Sequence, residues 1–268
     1  MQSIHKNNLS SYLSDWKVKI DIKNKYFEKG KHKPLPIPKT FQAIANKTFD
    51  LSVMLRYLDS NLKILENNKS PLTIDYQAYA DAIVFLQASY LFYHILLDTL
   101  AGVIAYFYKK NERINLPHSF HDLLKKSKNW DKFPKDLDLI LEKAQIWFPE
   151  FKERRVDLVH HYESFLIFFK KNESGEYILE HSNRSAESKF KNFGEIRKYI
   201  GFLLCVYQQL IDDLLDHFDS KFKTWFGVDV DKTIRSSTMM KWNSSNMLWW
   251  AVNYGGYKNS DLELRNNK

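Results

Sequence analysis

Between Ile83 and Tyr108 the chain reads IVFLQASYLFYHILLDTLAGVIAYFY, without Lys, Arg, Glu or Pro and with one Gly. Uninterrupted and apolar almost all round, it is read as the middle of one helix from about Asp75 to Lys110. About 20 apolar residues suffice to cross a bilayer. Here Gln87, His94 and Asp98 stand in the centre, where an ionisable group in lipid is costly. His94 and Asp98 are four residues apart, a spacing that lets them pair on one helix face. The run is therefore expected to be the central helix of a helical bundle, with no membrane partner.

The flanking segments supply partners for such a helix. From about Thr40 to Glu66, Phe41, Ile44, Ala45, Phe49, Val53, Met54, Leu58, Leu62 and Leu65 recur at three and four spacing, one apolar stripe. Asn67-Asn-Lys-Ser-Pro71 ends it. Short helices are expected over Ser119 to Lys126, with Ser119 as N-cap and Asp122 in the capping-box place, and over Lys135 to Trp147. Pro149 suits the first turn of a further helix, to about Tyr162. Then the period changes. Phe165 to Phe169 and Glu176 to Leu179 are short aromatic and β-branched runs around the turn-forming Asn172-Glu-Ser-Gly175, which predicts a β-hairpin over about 164–180. The last long helix spans about Gly194 to Phe222. The expected fold class is all-α, a helical bundle over 40–222 with one inserted β-hairpin before the last long helix.

Composition agrees with that class. Eight Gly and seven Pro in 268 residues are too few for a β-rich fold with many tight turns. The single Cys205 excludes a disulfide framework and a cysteine zinc ribbon within one chain. No apolar run lies close to Met1, so no signal peptide is expected and a reducing, cytoplasmic setting is. The net charge is +8. Residues 1–40 hold nine Lys against Asp15, Asp21 and Glu28, a net of +6. Residues 1–39 thus form a basic arm, and Lys17, Lys19, Lys23, Lys25, Lys31 and Lys33 are its candidate RNA-binding residues. Residues 223–268 form a C-terminal extension with Trp225, Trp242, Trp249 and Trp250 and little periodicity. Its aromatics suit base stacking or, better, docking on a partner.

The chemistry-bearing segment is Glu150-Phe-Lys-Glu-Arg-Arg-Val-Asp-Leu-Val-His-His-Tyr162. Arg155, His160 and Tyr162 read R-x4-H-x-Y. Eight Arg and nine His make a bare Arg–His spacing nearly uninformative; the added Tyr lowers the chance expectation to ~0.015 per chain. The motif and its helical setting resemble the HEPN superfamily (higher eukaryotes and prokaryotes nucleotide-binding), over about Thr40 to Phe222. The resemblance implies a helical bundle acting as a homodimeric, metal-independent endoribonuclease, without cofactor, as a toxin or antiviral defence effector with an antitoxin or defence partner protein. It implies a catalytic Arg and His at a dimer axis: Arg155 or Arg154 with His160, with Asp157 and His161 as neighbours. Val156 stands where the family carries a polar residue. Tyr162 occupies the place that a partner nucleotidylates in toxin–antitoxin relatives. The alternative is a non-catalytic module of the same type that binds RNA, nucleotide or protein.

The residue types suit RNA cleavage. The 2′-OH is the internal nucleophile, a His near neutrality moves protons, and a permanently charged Arg holds the phosphate. On a regular helix Arg155 and His160 lie ~140° apart, so both reach one site only if it is broad or shared between protomers. Arg154, Asp157 and His161 share a face. Competing constellations are weaker. Asp212-Asp213-Leu-Leu-Asp216 resembles the magnesium motif of isoprenoid synthases but has no second acidic motif to complete it. His118 and His121, three apart, lack a ligand set.

Overall fold

The computed structural model describes residues 39–67, 74–160, 164–184, 190–226 and 244–256. They form six helices and three strands: α1 (Lys39–Asn67), α2 (Tyr76–Asn111), α3 (Phe120–Asn129), α4 (Lys135–His160), β1 (Phe165–Lys171), β2 (Tyr177–Arg184), β3 (Phe190–Glu195), α5 (Ile196–Phe226) and α6 (Ser244–Gly255). The fold is mostly helical with one small antiparallel sheet.

Helix α2 is its axis. The Asp75 side chain caps it by accepting the Ala78 N–H at 3.0 Å, and Lys109 and Lys110 occupy its last turn, where cations suit the helix dipole. From Leu96 to Tyr108 only Asp98, Thr99 and Tyr106 escape full burial. By length and composition α2 could cross a membrane; in this fold 61% of its apolar stretch is buried against protein, while Val84 and Ile95 are exposed. Helix α1 packs along it through Leu51, Leu55, Leu58, Leu62 and Leu65, all fully buried. Burying one such side chain stabilises the fold by ~1.5–3 kcal/mol. Arg197 of α5 ties back to α1, its Nε and Nη2 donating to Asp59 Oδ1 at 3.2 and 3.1 Å and Nη1 to Glu66.

Three expectations are corrected. The segments Lys135 to Trp147 and Pro149 to Tyr162 are one helix, α4, which runs through Pro149. A proline removes a single backbone donor, and buried Trp147, Phe148 and Phe151 hold the helix together on either side of it. The hairpin is two strands of a three-stranded sheet in the order β1-β2-β3. The Asn172–Gly175 turn is as expected: Gly175 sits at φ +83° and donates to Asn172 O at 3.0 Å, while Asn172 Oδ1 accepts the Glu176 N–H at 2.9 Å. Strand β3 has only six residues, pairs with β2 across a register shift at His181/Ser182, and turns into α5 at Gly194, φ +82°. Finally, the Trp-rich extension contributes α6, which packs on α5 and α1. Trp250 is 1% exposed, and Trp225 of α5 stacks on Phe107 at 5.7 Å. Trp250 is a core residue of this chain and Trp225, partly buried, packs against the core, so neither is a free base-stacking platform.

Candidate functional site

The two arginines of the motif segment have different surroundings. Arg154 is buried. Its guanidinium lies over the rings of Phe193 (4.1 Å) and Tyr199 (4.0 Å) and its Nη2 donates to Glu150 one turn back. Its Nη1 is buried without a hydrogen-bond partner. The same layer holds His181, fully buried, whose Nε2 meets the Tyr90 hydroxyl at 2.9 Å and whose Nδ1 meets Gly194 O at 3.0 Å. A carbonyl only accepts, so Nδ1 carries the proton and Nε2 accepts from Tyr90. Burial pushes the His181 pKa down to about 3; the Gly194 contact works against this and Arg154 adds to it. The imidazole is therefore a neutral link between the sheet and α2. Burial likewise raises Tyr199, to about 12, against the pull of Arg154.

Arg155 is half-buried and belongs to another group. It acts on His94 of α2, as do Lys152 of α4 and His121 of α3. His94 Nδ1 lies 3.4 Å from Asp98 Oδ2. The other Asp98 oxygen accepts the N–H of Phe120, first residue of α3, at 2.8 Å, a favourable place for a carboxylate. Burial holds His94 below the ordinary imidazole range; Asp98 draws it up, while Arg155, Lys152 and His121 drive it further down. Lys152 Nζ lies 3.0 Å from His121 Nε2. An ammonium only donates, so Nε2 of His121 accepts and its Nδ1 carries the N–H. The rings of His94 and His121 both flank Phe148, at 6.5 and 6.4 Å. Three helices thus bring together two imidazoles, one carboxylate and two cations.

Beside this group α3 and α4 enclose a cleft of about 510 Å³. Leu124, Phe148, Pro149 and Val156 give it an apolar lining, and Lys125, Lys128, Lys152 and His121 a basic one with Glu153 as its acid. His121 and Lys152 belong to both the cleft and the His94 group.

The remaining sequence candidates divide as follows. Asp157 is half-buried on α4. His160 is the last residue of α4; its side chain, like all of His161, Tyr162 and the arm lysines Lys17, Lys19, Lys23, Lys25, Lys31 and Lys33, lies outside the described residues. His118 is exposed ahead of α3. Asp213 pairs with Lys143 at 2.7 Å and Asp212 accepts from Gln208 at 3.0 Å. Among the described residues no three His, Cys, Asp or Glu gather as metal ligands. Sequence reasoning paired His94 with Asp98 but missed Lys152 and the His121 contact. A Lys on α4 meeting a His thirty-one residues earlier leaves no local spacing to read.

No family model matches the chain, and no curated protein or solved structure matches it either.

Proposed function

We propose that this chain is a metal-independent endoribonuclease of HEPN type, acting as a homodimer in a toxin or defence role. The observation that carries the reading is the convergence of Arg155, Lys152, His121 and the His94–Asp98 pair beside a basic cleft. With Nδ1–H toward Asp98, His94 keeps Nε2 free, and its lowered pKa leaves it unprotonated at neutral pH, ready to take the proton of a ribose 2′-OH. The 2′-oxygen then bonds to phosphorus and the bond to the 5′-oxygen breaks, giving a 2′,3′-cyclic phosphate and a 5′-hydroxyl. Arg155 and Lys152 bear the charge on the phosphoryl oxygens. His160 supplies the proton to the 5′-oxygen. That role rests on its place in the R-x4-H-x-Y motif, at the end of α4. The helical order around the motif, with one long helix after it, supports the same family reading.

The test is RNA cleavage in EDTA with purified wild type, Arg155→Ala, His160→Ala and His94→Ala. Cleavage that survives EDTA and falls at least ~10²-fold in each variant is expected. A requirement for Mg²⁺, or cleavage indifferent to Arg155→Ala, refutes it. Tight RNA binding without cleavage selects the binding-module reading, for which half-buried Val156 on the cleft wall speaks.

A further inference from the structure

We infer that the α3–α4 cleft is a nucleoside-monophosphate subsite, which seats the nucleotide next to the scissile phosphate. The inference deepens the ribonuclease reading and rests on it for the role of the bound nucleotide, though not for the binding itself.

Volume comes first. About 510 Å³ lies within the ~300–1,000 Å³ typical of small-molecule sites. It is too large for phosphate alone and suits one base with its sugar. Charge comes second. Three lysines against one glutamate line the cleft, in a chain whose helical region, residues 41–222, sums to −1 once the arm's +6 and the extension's +3 are subtracted from +8. The concentration of cations here is local, and it selects an anion.

The third argument is the lining. An apolar ligand needs no lysines and a free phosphate needs no hydrocarbon, but this wall has both. Leu124, Phe148, Pro149 and Val156 offer apolar surface to a base, and the imidazole of His121, stacked on Phe148 at 22°, is a ring of the kind that bases stack on. The polar lining is already oriented. Ser127 donates its hydroxyl to Leu124 O, so its oxygen accepts from Gln145 Nε2 at 2.9 Å. That leaves Gln145 Oε1 as the acceptor of an amide whose orientation is set before any ligand arrives. Pre-set polar groups reduce the ordering cost of binding.

The fourth argument is continuity. Lys152 lines the cleft and uses one N–H on His121, leaving two donors. It also acts on His94. A phosphate on Lys152 therefore lies between the base pocket and the proton acceptor, the order a nucleotide chain requires.

The test is calorimetric titration of the full-length protein with adenosine, guanosine, cytidine and uridine 3′-monophosphates, and with inorganic phosphate. Two variants alter the cleft at exposed rim positions: Asn129→Trp, which fills it, and Lys128→Gln, which removes a charge. At least one nucleotide is expected to bind at least 10-fold tighter than inorganic phosphate. Asn129→Trp should weaken that binding at least 10-fold, and Lys128→Gln at least 3-fold, with unchanged melting temperatures. Equal affinity for nucleotide and phosphate, no nucleotide binding, or equal binding by wild type and Asn129→Trp overturns the inference. RNA cleavage by the same preparations separates the two readings. A cleft-dependent nucleotide site in a protein that cleaves nothing upholds the subsite and refutes the ribonuclease; cleavage with Asn129→Trp-insensitive binding does the reverse.

Discussion

Arg154, held between Phe193 and Tyr199, combines cation–π contact with side-chain packing, whereas its neighbour Arg155 interacts electrostatically with His94. Replacing Arg154 with Ala removes both ring contacts and leaves Glu150 alone. It is expected to cost ~2 kcal/mol of stability, read as a lower melting temperature or denaturant midpoint. Arg155→Ala should shift stability by less than ~1 kcal/mol and abolish cleavage; equal destabilisation by both changes would erase the distinction. Sequence spacing left the two arginines equivalent, because what separates them, the rings on β3 and α5 and the imidazole on α2, lies thirty-nine or more residues away. On the proposed ribonuclease reading His94 carries the pH dependence. Its folded pKa lies below 6.5, so the acid limb of kcat/KM for RNA should also lie below pH 6.5. Asp98 raises that pKa and Lys152 lowers it, so Asp98→Asn should move the limb to lower pH and Lys152→Gln to higher pH. An unmoved limb in both would remove His94 from the proton transfer.

Helices α5 and α6 meet at their glycines. A Cβ on Gly201 would lie 2.5 Å from Tyr254 Cβ and 2.8 Å from the Gly255 nitrogen, and one on Gly255 would strike the Gly201 carbonyl. Backbone atoms cannot yield as a flexible side-chain tip can, so Gly201→Ala should prise α6 away from α5. The expected result is a loss of ~2–3 kcal/mol with a red shift of tryptophan emission as Trp250 becomes wet; a blue, native-like spectrum would contradict it. This contact explains why α6 was hidden in the sequence. Its residues Ser244 to Gly255 bury Met247, Trp250 and Ala251, a three- and four-residue spacing too short to stand out in an aromatic, polar stretch. By contrast α1 and α2 were legible almost to their ends, because each repeats its apolar spacing over many turns and α2 begins at a capping Asp. Pro149 misled for an opposite reason: a helix-opening residue by local preference, it is carried mid-helix by the aromatic packing of Trp147, Phe148 and Phe151.

Across the whole molecule, two couplings are set by charge. His181 joins β2, β3 and α2 while neutral, with a folded pKa of about 3 against ~6.5 unfolded. Above pH 6.5 it is unprotonated in both states and contributes no pH dependence. As pH falls from 6.5 toward 3 the unfolded chain gains a proton that the folded one refuses. Stability should then fall by up to ~1.4 kcal/mol per pH unit, and His181→Gln should flatten that slope in denaturant melts. The second coupling concerns the +8. Nine lysines and three acids fall within residues 1–40, and the helical region is close to neutral, so on the proposed ribonuclease reading the arm and the C-terminal extension supply most of the long-range attraction to RNA, while the cleft between α3 and α4 supplies only local cations. Each phosphate neutralised on a single strand contributes ~0.7 to the slope of log affinity against log salt. Removing residues 1–39 takes away nine lysines and three acids, a net of +6, and should reduce the slope by about four if every net charge meets a phosphate. Fluorescence anisotropy with a labelled RNA over a salt series measures this directly. Nucleotide titration of the same truncated protein should be unchanged, because the lining that holds the monophosphate belongs to α3 and α4. A salt slope that survives the deletion would move the electrostatic grip back onto Lys125, Lys128 and Lys152.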